Sequence, residues 1–134
     1  KNFNKKQIYS LIKLSKKLIK KYSIKNKYIL GHSDIAPLRK KDPGEKFPWK
    51  ILSKKNIGIW HNYKKKIKNR FIDIKSTDLK NEFFFNLRKY GYSINSKSLL
   101  DKRKIVKVFQ MRFRPENVNG IIDFETYDIL KTLK

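Results

Sequence analysis

The chain has 134 residues, 13% of them aromatic, and a formal net charge of +24 at pH 7, with 35 Lys and Arg against 11 Asp and Glu. It contains no cysteine, which excludes disulfides and thiolate metal sites. No run of about 18 apolar residues occurs, so the sequence offers no helical membrane span. The length suits one average domain or two small ones. Charge of this size points first to a polyanion partner. However, Lys outnumbers Arg 29 to 6, a pattern that suits coding from an AT-rich genome. A nucleic-acid surface favours Arg, whose planar fork pairs with phosphate and stacks on bases. No nucleic-acid partner is therefore expected.

From Gln7 to Tyr22, the residues Ile8, Leu11, Ile12, Leu14, Leu18, Ile19 and Tyr22 recur at helical spacing, with Lys on the other face. Asn4 is placed to cap this helix. Packing of the apolar stripe on a sheet is expected rather than binding of a membrane surface. Tyr28-Ile29-Leu30 is a short apolar run that reads as a buried strand, with His32 near its end. A loop follows, held by Pro37, the Pro43-Gly44 pair and Pro48. Lys50 to Lys55 add one helical turn, and Ile57-Gly58-Ile59-Trp60 tucks against what precedes it. The run with Lys64, Lys65, Lys66 and Lys68 reads as a solvated linker.

The remainder reads as three short helices. Ser76 or Thr77 caps the first, with Leu79, Phe83, Phe84 and Leu87 inward and an end near Tyr90-Gly91. The second spans about Ser98 to Phe113, with Leu99, Ile105, Val108, Phe109 and Phe113 apolar. Asp123 caps the third, with Tyr127, Ile129, Leu130 and Leu133 following. A three-helix unit this small has a thin core and is expected to lean on the first part. The expected organisation is residues 1–60 as one unit, 61–75 as linker and 76–134 as a second.

The stretch from Gly31 to Trp49 concentrates the chemistry. It holds one of the two histidines and three of the four prolines. Asp34, two positions on, and Asp42, ten positions on, both compete to partner His32. A neutral imidazole and a carboxylate are both zinc ligands, but a catalytic zinc usually takes three protein donors. On spacing alone, a hydrogen-bonded structural His–Asp pair is the commoner outcome.

His32-Ser33-Asp34-Ile35-Ala36-Pro37, Arg39-Lys40, Asp42-Pro43-Gly44 and Phe47-Pro48-Trp49 together resemble the second half of the zinc-dependent N-acetylmuramoyl-L-alanine amidases, closest to their outer-membrane lipoprotein branch. Further on, Phe109-Gln110-Met111-Arg112-Phe113-Arg114-Pro115, Asn119-Gly120 and Asp123-Phe124-Glu125-Thr126 resemble a small peptidoglycan-binding helical domain. The resemblance implies an α/β fold, namely the C-terminal part of a mixed-sheet amidase domain followed by a three-helix peptidoglycan-binding-like domain. It implies zinc held by His32 and Asp42, with Lys40 stabilising the oxyanion. These ligand atoms are then expected within about 4 Å of each other. Asp34 and Arg39 are expected to brace the loop, and Phe47-Pro48-Trp49 to pack.

The implied activity is hydrolysis of the amide between N-acetylmuramic acid and L-alanine in peptidoglycan or muropeptides. The implied place is the periplasm, associated with the outer membrane through an N-terminal lipid anchor lying upstream. The family's other zinc histidine and its glutamate base also come earlier in its sequence. The 134 residues are thus expected to be the C-terminal part of an amidase, inactive alone, because His61 is badly positioned to substitute. The alternatives are a non-catalytic peptidoglycan-binding remnant and, less in keeping with the Lys bias, a basic nucleic-acid binder.

Overall fold

The computed structural model describes residues 2–66 and 68–133; Ile67, within the expected linker, lies outside them. Among the described residues there are six helices: α1 Lys5–Tyr22, α2 His32–Ile35, α3 Trp49–Ser53, α4 Thr77–Tyr90, α5 Leu99–Phe113 and α6 Phe124–Thr132, with a 3₁₀ turn at Asn26–Tyr28. None is long and apolar enough to cross a membrane. Among the described residues there is no strand. The one β-type pairing is an antiparallel bridge between Asp73 and Asp123.

Local chemistry accounts for the helix starts. The Asn4 side chain accepts from the Gln7 amide while the Gln7 side chain accepts from the Asn4 amide, at 2.8 and 3.0 Å. Two of the free amide groups at the start of α1 are thereby satisfied. Ser76, Ser98 and Asp123 cap α4, α5 and α6 in the same way, each accepting an amide in the first turn. Gly91, with φ of +131°, ends α4 in a backbone conformation that a side chain resists.

Two apolar clusters form. The larger joins α4, α5 and α6 through Phe83, Leu87, Ile105, Phe109, Phe113, Tyr127 and Ile129, with Ile74, Tyr92 and Ile94 from the connecting segments. The smaller buries Trp49, Leu52 and Ile57, with Leu11, Ile12, Ile19, Ile29 and Phe47 partly covered against it. Trp60 packs against both. Residues 61–66 are irregular but fastened: Lys65 pairs with Glu116 and Lys66 with Asp128 on the surface of the larger cluster. Arg70 makes a two-pronged pair with Glu125 at 2.7 and 3.0 Å.

Three local expectations are corrected. Tyr28-Ile29-Leu30 is not a buried strand. Tyr28 closes the 3₁₀ turn and is 64% exposed, and Leu30 is 45% exposed. Ile29 has extended backbone, but a strand also needs a neighbour to complete its hydrogen bonds, and the described residues provide none there. His32 consequently opens a helix instead of ending a strand. Leu99 is not inward but 84% exposed at the first position of α5, and Val106 takes the buried place. On α1 no residue is fully buried, and Leu14, Leu18 and Tyr22 remain exposed, so only part of the predicted stripe is covered.

Candidate functional site

The loop from Gly31 to Trp49 is built from one helical turn and a chain reversal. Gly31 precedes α2, and its amide donates to Asp34 Oδ2 at 2.8 Å, which closes the first turn. The amides of Arg39 and Lys40 both donate to the Ala36 carbonyl, turning the chain back. The Ser33 amide then donates to the Asp42 carbonyl at 2.9 Å. That bond sets Asp42 beside the start of α2. The side chains follow: His32 Nδ1 lies 3.2 Å from Asp42 Oδ2, and both side chains are more than half exposed.

The rest of the motif underpins this pair. Asp34 is buried and fully engaged. Its Oδ2 accepts from Gly31 and from Arg112 Nη1 at 2.7 Å, and its Oδ1 accepts from the Tyr92 hydroxyl at 2.7 Å. Burial first, and then the Asp34 carboxylate, push the Tyr92 phenol well above its usual pKa, so it stays a proton donor. Asp34 braces the loop as expected. Arg39 does not: it is exposed and makes no side-chain hydrogen bond or ion pair among the described residues. Trp49 is buried, with the Arg112 guanidinium 3.7 Å from its ring centre, so it packs instead of presenting a stacking face.

Lys40 sits on the same loop, exposed, two positions before Asp42. It lines a cavity of about 430 Å³ with Pro37, Leu38 and, from α5, Lys107 and Met111. The structure brings His32 and Asp42 into contact and leaves the Lys40 ammonium without an ion-pair partner among the described residues. His61 is elsewhere. Its Nε2 donates to the Phe113 carbonyl at 2.8 Å, its Nδ1 accepts from the Tyr63 amide at 3.2 Å, and its ring stacks on Trp60.

Zinc can be tested against this donor set. Two donors each about 2 Å from one tetrahedral zinc stand roughly 3.3 Å apart. The 3.2 Å between His32 Nδ1 and Asp42 Oδ2 is a hydrogen-bond contact, the structural pair expected on spacing alone; it also equals that donor spacing, and both side chains are open to solvent. Among the described residues no group of three His, Cys, Asp or Glu gathers to hold a metal. The residues present therefore fit two places of a three-donor site.

Sequence reading missed Arg112 and Tyr92. A signal existed: Gln110, Arg112 and Arg114 interrupt an apolar helical run two residues apart, so they cannot all share one solvent face. All three are buried.

Comparison with known proteins adds three findings. The family model described as N-acetylmuramoyl-L-alanine amidase matches residues 1–45. The N-acetylmuramoyl-L-alanine amidase AmiD of Escherichia coli K12 is 36% identical over 98% of this chain and 48% of its own length. Among solved structures, the complex of E. coli AmiD with the substrate anhydro-N-acetylmuramic acid-L-Ala-D-γ-Glu-L-Lys superposes with a TM-score of 0.83 at 34% identity, covering 98% of this chain and 52% of that one. AmpDh3 of Pseudomonas aeruginosa, in complex with anhydromuramic pentapeptide, gives 0.81 at 32% identity, covering 99% and 53%. The chain spans about half the length of the relatives it matches.

Proposed function

We propose that the chain belongs to the N-acetylmuramoyl-L-alanine amidases and that it serves hydrolysis of the amide between N-acetylmuramic acid and L-alanine in peptidoglycan or muropeptides. The observation that carries the reading is the approach of His32 Nδ1 to Asp42 Oδ2, in a chain that superposes on amidases solved with muropeptides. In this proposal His32 and Asp42 hold a zinc ion. When bound, the metal supplies a Lewis acid to the scissile carbonyl and to water. His32 contributes a neutral imidazole and Asp42 a negative carboxylate. Lys40 contributes an exposed ammonium on the same loop, and it stabilises negative charge developing on the amide oxygen.

The finer proposal for the fold, a mixed sheet in the amidase domain, is supported by the likeness to the amidases alone. Residues 1–60 and 76–134 are proposed as the catalytic and the peptidoglycan-binding-like units. A periplasmic, outer-membrane-associated setting is proposed from the substrate class. The finding of two gathered donors favours a second reading for the 134 residues by themselves: binding of peptidoglycan without cleavage.

A chimera separates the two readings. The chain replaces the region it matches in E. coli AmiD, and free stem peptide released from a muropeptide is measured in the presence of zinc. We expect turnover that disappears in His32→Ala and Asp42→Ala and falls about 10²–10³-fold in Lys40→Ala. A zinc-loaded chimera that binds muropeptide and releases nothing would establish the binding-only reading.

A further inference from the structure

We infer that Arg112, at the far end of α5, is the positioning residue of the His32–Asp42 loop, and that through it the C-terminal helices set the metal-binding geometry. Arg112 is 4% exposed and makes three kinds of contact with the first sixty residues. Its Nη1 donates to Asp34 Oδ2 at 2.7 Å. Its Nη2 donates to the Ile29 carbonyl at 3.3 Å. Its guanidinium plane lies over Trp49 at 3.7 Å. One side chain thus ties the segment that enters α2, α2 itself and α3 to α5. Tyr92 adds a second anchor from the same side, donating to the other oxygen of Asp34.

The route to the donors is short. Asp34 Oδ2 accepts from both Arg112 and Gly31, so it fixes the turn that begins with His32. Ser33, inside that turn, holds the Asp42 carbonyl. Displacing Asp34 therefore shifts His32 directly and Asp42 through Ser33. Lysine cannot replace this arginine. An ammonium is a single point of charge, whereas the planar fork serves carboxylate and carbonyl together while stacking on an indole. The inference rests on the zinc reading for its functional meaning, and on the hydrogen bonds and the Trp49 contact for its structural content.

The test uses the 134-residue chain and two variants, Arg112→Lys and Tyr92→Phe. The second removes one hydroxyl and preserves the ring. Amide hydrogen exchange is followed at Gly31, Ser33 and Phe83, and zinc titration is followed through the His32 ring resonances. We expect Gly31 and Ser33 to lose protection in both variants, more in Arg112→Lys, with Phe83 unchanged. The zinc dissociation constant of the folded protein should rise about tenfold in Arg112→Lys. Lower melting temperatures with unaltered zinc affinity would overturn the inference, reducing Arg112 to a general stabiliser. So would unaltered exchange at Gly31 and Ser33, whatever zinc does. A wild-type chain whose His32 ring ignores zinc would sink the zinc reading instead, while the exchange data still decide whether Arg112 holds the loop.

Discussion

His61 illustrates how far a single side chain can be read. In the sequence it is a second histidine downstream of a His–Asp motif. In the structure its ring joins residue 61 to the end of α5, with one nitrogen donating to Phe113 and the other accepting from Tyr63. Burial holds its pKa below the usual 6.5, against the raising effect of the Phe113 carbonyl. The fold thus prefers the neutral ring. Its contribution to stability is whole above about pH 6.5 and is lost as pH falls through the lowered folded value. His61→Phe retains the stack on Trp60 and loses both hydrogen bonds. Thermal unfolding should show wild type more stable than this variant at pH 8, with the gap narrowing by pH 5. A gap that widens toward acid would contradict the assignment. Gly31 is the second informative residue. A Cβ there would stand 2.7 Å from Pro43 Cδ and 3.3 Å from Asp34 Oδ2. Gly31→Ala should therefore destabilise by about 1–3 kcal/mol, read from the midpoint of urea unfolding. The crowding was not visible in the sequence, and the interrupted apolar run marks Arg112 as unusual without naming its partner. Arg112 and Asp34 are 78 positions apart, and no local pattern reports such a contact.

Helices were the legible elements. Ser76 and Asp123 are read from the sequence as caps and the structure uses both, while Ser98, read only as the approximate start of the second of these helices, also caps it. The 3.6-residue period placed Phe83, Leu87, Ile105, Phe109 and Ile129 inward, where they are buried. The apolar run before His32 was not legible, because three residues carry no period and their conformation depends on what lies beside them. The caps also differ in what they carry. Asn4 is exposed and serves α1 alone. Asp123 is fully buried, accepts from the Thr126 amide and balances the buried guanidinium of Arg114 at 2.7 Å. Asn4→Ala should cost about 1 kcal/mol. Asp123→Ala should cost about 3–5 kcal/mol, since it leaves a buried cation short of its partner. Chemical denaturation of the two variants checks the order; equal losses would show that the Arg114 pair contributes little.

At the scale of the whole molecule, charge was the least informative sequence property. A net charge of +24 rests mainly on 29 lysines, which recur in five of the six described helices, α2 having none. The motif was the most informative, since loop geometry follows from local bonds such as Ser33 to Asp42 and Gly31 to Asp34. What the motif could not convey is that its floor belongs to the other end of the chain. Asp34 rests on Arg112 and Tyr92, and Trp60 links the two apolar clusters. In the proposed site His32 and Asp42, 3.2 Å apart, are two donors to one zinc ion. Calorimetric titration of zinc into the 134-residue chain, His32→Ala and Asp42→Ala tests it most directly. One weak site is expected in the wild-type chain, since two protein donors leave the remaining coordination to water. Either substitution should abolish that site while the melting temperature stays within a few degrees. Zinc binding that survives both substitutions at unaltered affinity would contradict it.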